Sequence, residues 1–152
     1  MRATGTEHAQ TYYLALLAEA FGKMRQVEKG LSVLAEAQTV VNKTGERLYE
    51  AELYRLKGEL LLAREGSRPQ AVGCREKTEE AEACFLKAIE VAQKQQAKSL
   101  ELRAATSLAR LWQQQGKRIE ARDLLSPVYN WFTEGFDTKD LQEAKTLLGE
   151  LH

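Results

Sequence analysis

Apolar residues recur at spacings of three and four along almost the whole chain, as at Leu14, Leu17, Ala18 and Phe21, and again at Leu53, Leu56, Leu60 and Leu61. That period belongs to the helix, because residues three and four apart share one face. Strand-like alternation is absent, and the two prolines, Pro69 and Pro127, leave long stretches open to helix. The expected fold class is therefore all-α. Breaks near Arg25, at Gly45, across Glu65 to Arg75, near Lys98, at Gly116 and Lys117, and from Gly135 to Thr138 delimit seven helices. Their expected spans are 7–24, 26–43, 46–64, 77–97, 99–115, 118–133 and 138–150.

Helices this uniform in length call for a test of internal repetition. Leu108-Ala109, Trp112, Gly116, Ala121, Leu125 and Val128 place large and small residues at fixed intervals over two helices. The first pair of helices repeats the pattern with Leu17-Ala18, Phe21, Gly30, Leu34 and Ala37, although Arg25 stands where a turn glycine is expected. The second pair shows Tyr54, Gly58 and Leu61, then Ala81, Phe85 and Ala88, with Lys57 as a departure. Leu17, Lys57 and Leu108 become equivalent positions 40 and 51 residues apart, the longer step carrying an 11-residue insertion. This pattern resembles the tetratricopeptide hairpin. Small residues would let paired helices approach, Phe21, Phe85 and Trp112 would fill the space around them, and three hairpins would have to stack to bury a continuous core.

The expected architecture is a tetratricopeptide-like α-solenoid forming one domain over 1–152. Its hairpins fall at about 7–44, 46–97 and 99–133, and a capping helix follows at 138–150. Asp137 or Thr138 is the candidate cap of that last helix, whose Leu141, Ala144, Leu148 and Leu151 form one apolar stripe. The insertion at 65–76, rich in Gly, Pro, Ser and charge, reads as a solvated loop, with a binding loop as the alternative. No comparable cap precedes residue 7, so the first hairpin is expected to expose an apolar flank and to self-associate through it.

Lysine plus arginine equals aspartate plus glutamate at 22 each, so no net field draws in nucleic acid or an anionic membrane. No apolar run reaches the length of a membrane span and no signal-peptide layout opens the chain, so a cytoplasmic protein is expected. Cys74 and Cys84 lack metal-ligand or disulfide spacing and read as reduced thiols, Cys84 packed and Cys74 exposed.

The phrases YYLALLAEAFGK, GERLYEAELYRLKGELLL, EAEACFLKAIEVAQKQQAKSLELRAATSLARLWQQQGK and WFTEGFDTKDLQEAKTLLGEL cover nearly the whole chain. They resemble the C-terminal tetratricopeptide region of large bacterial signalling proteins. In those proteins a predicted AAA/STAND-type ATPase precedes the repeats, often behind an adenylate/guanylate cyclase or a DNA-binding domain. The resemblance implies a segment that binds a partner or ligand and sets the activity of upstream domains, this chain being a piece of such a regulator.

The residues themselves offer little chemistry. Gly22-Lys23 and Gly116-Lys117 lack the earlier glycine of a phosphate loop, and His8 and His152 lie near the termini, away from any triad or metal cluster. Glu79-Glu80 and Glu50 with Glu52 sit among basic residues, as solvated helix faces do. No catalytic residue, metal or cofactor is expected. Tyr12-Tyr13 and Tyr129-Asn130-Trp131-Phe132 read as core aromatics, with at most one or two rings of the second cluster left free; binding of a peptide or a base is the alternative.

A partner site is expected where the first helix of each hairpin lines a concave groove. Helical spacing assigns to it Tyr12, Glu19 and Lys23, then Glu52, Arg55 and Glu59, then Arg103, Thr106, Arg110 and Gln113. Arg55, Arg103 and Arg110 suit an acidic peptide, since a guanidinium takes a carboxylate bidentately, but Glu52 and Glu59 offer internal pairing instead. The candidate partners are a protein or peptide, including an acidic one, or the upstream domains of the same polypeptide. The alternative function is a small-molecule sensor, which would need the insertion to fold over the groove.

Overall fold

A computed structural model describes residues 3–45, 47–66 and 74–151. Seven α-helices and no strand are present among them: α1 (Ala3–Lys23), α2 (Val27–Thr44), α3 (Glu50–Gly66), α4 (Cys74–Lys94), α5 (Lys98–Gln114), α6 (Arg118–Trp131) and α7 (Lys139–Glu150). None is long and apolar enough to cross a membrane. The third helix begins at Glu50 rather than 46 because Gly45 ends α2 in the left-handed region, φ 74°, its N–H bonded to the Val41 carbonyl. The insertion expected over 65–76 is shorter at both ends, since α3 runs to Gly66 and α4 starts at Cys74. Residues 67–73 and the Cys74 side chain lie outside the described residues, as do the side chain of His8 and all of His152.

Consecutive helices pack on one another, and α1, α3, α5 and α7 also pack side by side, whereas α2, α4 and α6 do not touch one another among the described residues. The repeated sequence positions set each helix pair. Ala18, Gly30, Leu34 and Ala37, then Gly58, Ala81, Phe85 and Ala88, then Ala109, Ala121, Leu125 and Val128 are all buried. In the first and third pairs the equivalent positions are an alanine and a leucine of one cluster, Ala18 with Leu34 and Ala109 with Leu125, while in the second Gly58 faces Phe85. A Cβ at Gly58 would stand 2.6 Å from the Phe85 ring, so the missing methyl is what admits the larger side chain. Phe21 and Trp112, expected to fill space as Phe85 does, are only half-buried, because they sit at the open ends of their helices; the Trp112 Nε1 donates to Glu82 at 3.2 Å.

Three turns share one geometry. Arg25 (φ 60°), Gln96 (φ 55°) and Gly116 (φ 83°) each take the left-handed conformation. The next N–H then reaches back to a helix carbonyl: Gln26 to Phe21 at 2.8 Å, Ala97 to Ala92 at 2.9 Å, and Lys117 to Trp112 at 2.8 Å. Arg25 thus does what a glycine would, at the cost of its Cβ meeting the carbonyl. The start of α3 and the start of α5 repeat as well. Buried Glu50 accepts from Arg47 at 2.5 Å and Gln38 at 3.4 Å, and Glu101, 51 residues on, pairs with Lys98 at 3.0 Å and accepts from Gln93 at 3.1 Å.

At the C-terminal end, Thr138 occupies the N-cap of α7 without a side-chain cap bond, and Asp137 does not cap it. Leu147 rather than Leu148 is fully buried with Leu141, Ala144 and Leu151, since α7 is rotated slightly toward α5 and α6; Leu148 still packs against the core. Gln142, Lys145, Thr146 and Gly149 face outward. Cys84 is buried as expected, and burial pushes its thiol pKa up, with Lys57 opposing and Glu80 adding to the rise.

Two stability predictions follow from these contacts. Gly58→Ala should cost about 1–2 kcal/mol in urea unfolding, overpacking outweighing the helix propensity it gains. Adding Phe85→Leu, which recreates the alanine and leucine of the other pairs, should recover most of that loss; additive costs would refute the volume exchange. Arg25→Gly and Gln96→Gly should each raise stability by about 0.5–1 kcal/mol, and Gly116→Ala should lower it by about 1 kcal/mol, read as thermal midpoints.

Candidate functional site

The side-by-side packing of α1, α3, α5 and α7 leaves a groove of about 490 Å³ along their shared face. Tyr12, Leu16, Glu19, Gly22 and Lys23 come from α1, and Arg55, Leu56, Glu59, Leu60 and Ala63 from α3. Arg103, Thr106, Ser107 and Arg110 come from α5, and Lys139, Asp140 and Glu143 from α7. Helical periodicity explains the selection, because the lining residues of each helix, single or in adjacent pairs, recur at intervals of three and four.

Eight of the ten residues expected from spacing are brought together here: Tyr12, Glu19, Lys23, Arg55, Glu59, Arg103, Thr106 and Arg110. Glu52 is not on the lining. It is buried beneath it, where it accepts from the Arg55 Nε and, at 2.5 Å, from Arg103 Nη1. Gln113 also falls outside the lining, half-buried near the end of α5. Thr106 is buried, and its hydroxyl donates back to the Leu102 carbonyl at 2.8 Å, so it forms floor rather than an outward donor. Sequence reasoning missed the apolar and small residues Leu16, Gly22, Leu56, Leu60, Ala63 and Ser107, and the three residues of α7. The signal for α7 was the polar i, i+1 and i+4 set Lys139, Asp140 and Glu143, which flanks its apolar stripe and faces the same way as Arg103 and Arg110.

The charges divide into two kinds. Arg103 donates to Asp140 at 2.8 Å as well as to Glu52, and Arg55 is tied to Glu52 with Glu59 at 3.9 Å. Burial alone would lower the Arg103 pKa, but its hydrogen bond to Asp140 and the charge and hydrogen bond of Glu52 outweigh burial and raise it, so the group stays protonated. Arg110 and Lys139 instead share one carboxylate, Glu143, at 4.0 and 3.9 Å, and Lys23 lies 3.5 Å from Glu19. These are loose contacts on exposed groups, of the kind that contribute little. The internal pairing foreseen for the arginines therefore engages Arg55 and Arg103 and leaves Arg110 weakly held.

Tyr12 is the aromatic residue of the groove lining. It packs on Tyr49 with ring centroids 5.3 Å apart and stays half-exposed, whereas Tyr13 is off the lining and exposed. The second aromatic cluster lies away from the groove: Tyr129 and Phe132 pack against the core while Trp131 is exposed, edge-on to Phe132 and 5.6 Å from the Lys98 Nζ. Comparison with family models, with characterised proteins and with solved structures finds no match to this chain.

Because Glu52 joins α3 to α5 from beneath the groove, Glu52→Gln should cost about 1–2 kcal/mol, between an exposed pair and a buried one. Urea unfolding measures it, and a change below a few tenths would show the bridge to be idle.

Proposed function

We propose that this chain is a non-catalytic interaction and regulatory module, a tetratricopeptide-like α-solenoid of three hairpins and a capping helix. It binds a protein or peptide segment in the groove lined by α1, α3, α5 and α7. The equivalent buried positions of the three helix pairs, and the like turns inside the first and third pairs, support the repeat reading. The resemblance of its wording to bacterial signalling ATPases supports a place within a larger cytoplasmic regulator, whose ATPase or cyclase activity the module sets. Its balanced charge favours protein over nucleic acid or membrane.

The observation that carries the binding reading is the exposed pairing of opposite chemistries in one groove. Tyr12 and Leu16, each nearly half exposed, stand at one side, and the loosely held Arg110 and Lys139 at the other. Apolar side chains left open in a cleft favour a guest, and loosely paired cations add selectivity for an acidic one. The groove's volume also lies within the range of small-molecule sites, which favours a ligand sensor as the second reading.

A pull-down from cognate extract separates these readings. Tyr12→Ala combined with Arg110→Glu, both exposed, should retain the fold by circular dichroism and lose at least tenfold of a partner that the wild type retains. Equal retention by both would remove the groove from the interaction. Retention of no protein, with a thermal shift from a dialysable extract fraction, would favour the sensor.

A further inference from the structure

Steps of 40 and 51 residues relate Tyr12 to Glu52 and Arg103, and Glu19 to Glu59 and Arg110, so two rows of equivalent positions cross the groove two helical turns apart. Helix α7 ends each row with a carboxylate, Asp140 in the first and Glu143 in the second. The first row is closed. Glu52 on α3 accepts from Arg103 on α5 at 2.5 Å, and Arg103 donates on to Asp140 at 2.8 Å. The second row has the same acid and base on the same two helices, yet no ion pair joins them among the described residues. Glu59 turns to Arg55 at 3.9 Å, a guanidinium already bound to Glu52, and Arg110 turns to Glu143 at 4.0 Å. Glu19 has only the loose approach of Lys23 at 3.5 Å, and the side chains of Glu19 and Glu59 are each 40% exposed where that of Glu52 is 9% exposed.

The open row thus carries two available carboxylates on α1 and α3 and two available cations, Arg110 and Lys139, on α5 and α7, all lining one groove. Resting on the groove as a peptide site, we propose that its guest closes this row. The guest is a segment that presents a basic side chain to Glu19 and Glu59 and an acidic one to Arg110 and Lys139. A wholly acidic segment would set like charges against Glu19 and Glu59, whereas opposite charges on one segment complement both sides. Neighbouring helices stand about 8–10 Å apart, and side chains two residues apart on one face of an extended segment stand about 6–7 Å apart. A basic and an acidic residue at that spacing therefore reach across from α3 to α5. Tyr12 and Leu16, on α1 with Glu19, offer an apolar wall to the stem of the basic side chain.

Selection from a random peptide library displayed on phage tests the proposal. The wild type should enrich sequences with Lys or Arg two or three positions from Asp or Glu, and Glu19→Gln with Glu59→Gln should abolish the basic preference while keeping the acidic one. An enriched peptide, made synthetically, should bind this variant at least tenfold more weakly by fluorescence anisotropy, with helix content unchanged. Enrichment of acidic residues alone, indifferent to the two glutamines, would overturn the proposal and leave the groove standing as a peptide site. Enrichment that survives Tyr12→Ala with Arg110→Glu, or no enrichment at all, would overturn both. Displacement of the enriched peptide by an equal concentration of free lysine would make the guest a small zwitterion and overturn the segment.

Discussion

The close approach of two helices at one small residue governs the rest of this molecule. Ala18, Gly58 and Ala109 are each buried, Gly58 against Phe85 of the following helix, and Ala18 and Ala109 in the clusters that hold Leu34 and Leu125. Ridges of one helix enter the grooves of the next only where such a residue yields space, so the small position fixes both the separation and the register of each pair. The second pair shows that the constraint is on combined volume rather than on residue identity, since glycine with phenylalanine stands where alanine with leucine stands elsewhere.

With register fixed, the odd-numbered helices form one row, and the same few positions on each point into the groove. The row then has to be held together beneath its charged lining, and Glu52 does this by accepting from Arg55 on its own helix and Arg103 on the next. Glu50 and Glu101 play a related part at the starts of α3 and α5, each tied to a basic residue three positions earlier and to a glutamine of the preceding helix. Three buried carboxylates thus sit at helix-to-helix joints, where their hydrogen bonds offset the cost of removing them from water.

Helix number and the inward face of each helix were legible in the sequence because both follow from the apolar period. What was not legible depends on neighbours. Nothing in the pattern marks Gln96 as left-handed, and Arg25 is marked only by the turn glycine expected at its place, since the surrounding hydrogen bonds impose that geometry against local preference. Glu52 and Arg55 look alike as polar positions of one helix, and only the arrival of Arg103 from α5 draws Glu52 below the surface. Likewise α7 read as a cap alone, because its groove-facing residues acquire meaning only when it lies beside α5. Most of the groove residues were recoverable for the opposite reason: a helix presents its faces at fixed intervals whatever it packs against.

The groove's charge, balanced in number, is unbalanced in availability. A guest carboxylate that approached Arg103 would have to replace Asp140 or compete with Glu52, exchanging one charge-assisted hydrogen bond for another of similar strength. At Arg110 and Lys139, which share Glu143 at about the limit of an ion pair, the same carboxylate adds bonds that the free protein does not make. Selectivity on the proposed reading therefore resides where α5 meets α7, while apolar contact resides at Tyr12 and Leu16 on α1. A guest held by both must span the row of helices with its acidic end toward α7. Arg55 and Arg103, two of the three arginines that the sequence offers to such a guest, serve chiefly to hold α3 and α5 together through Glu52.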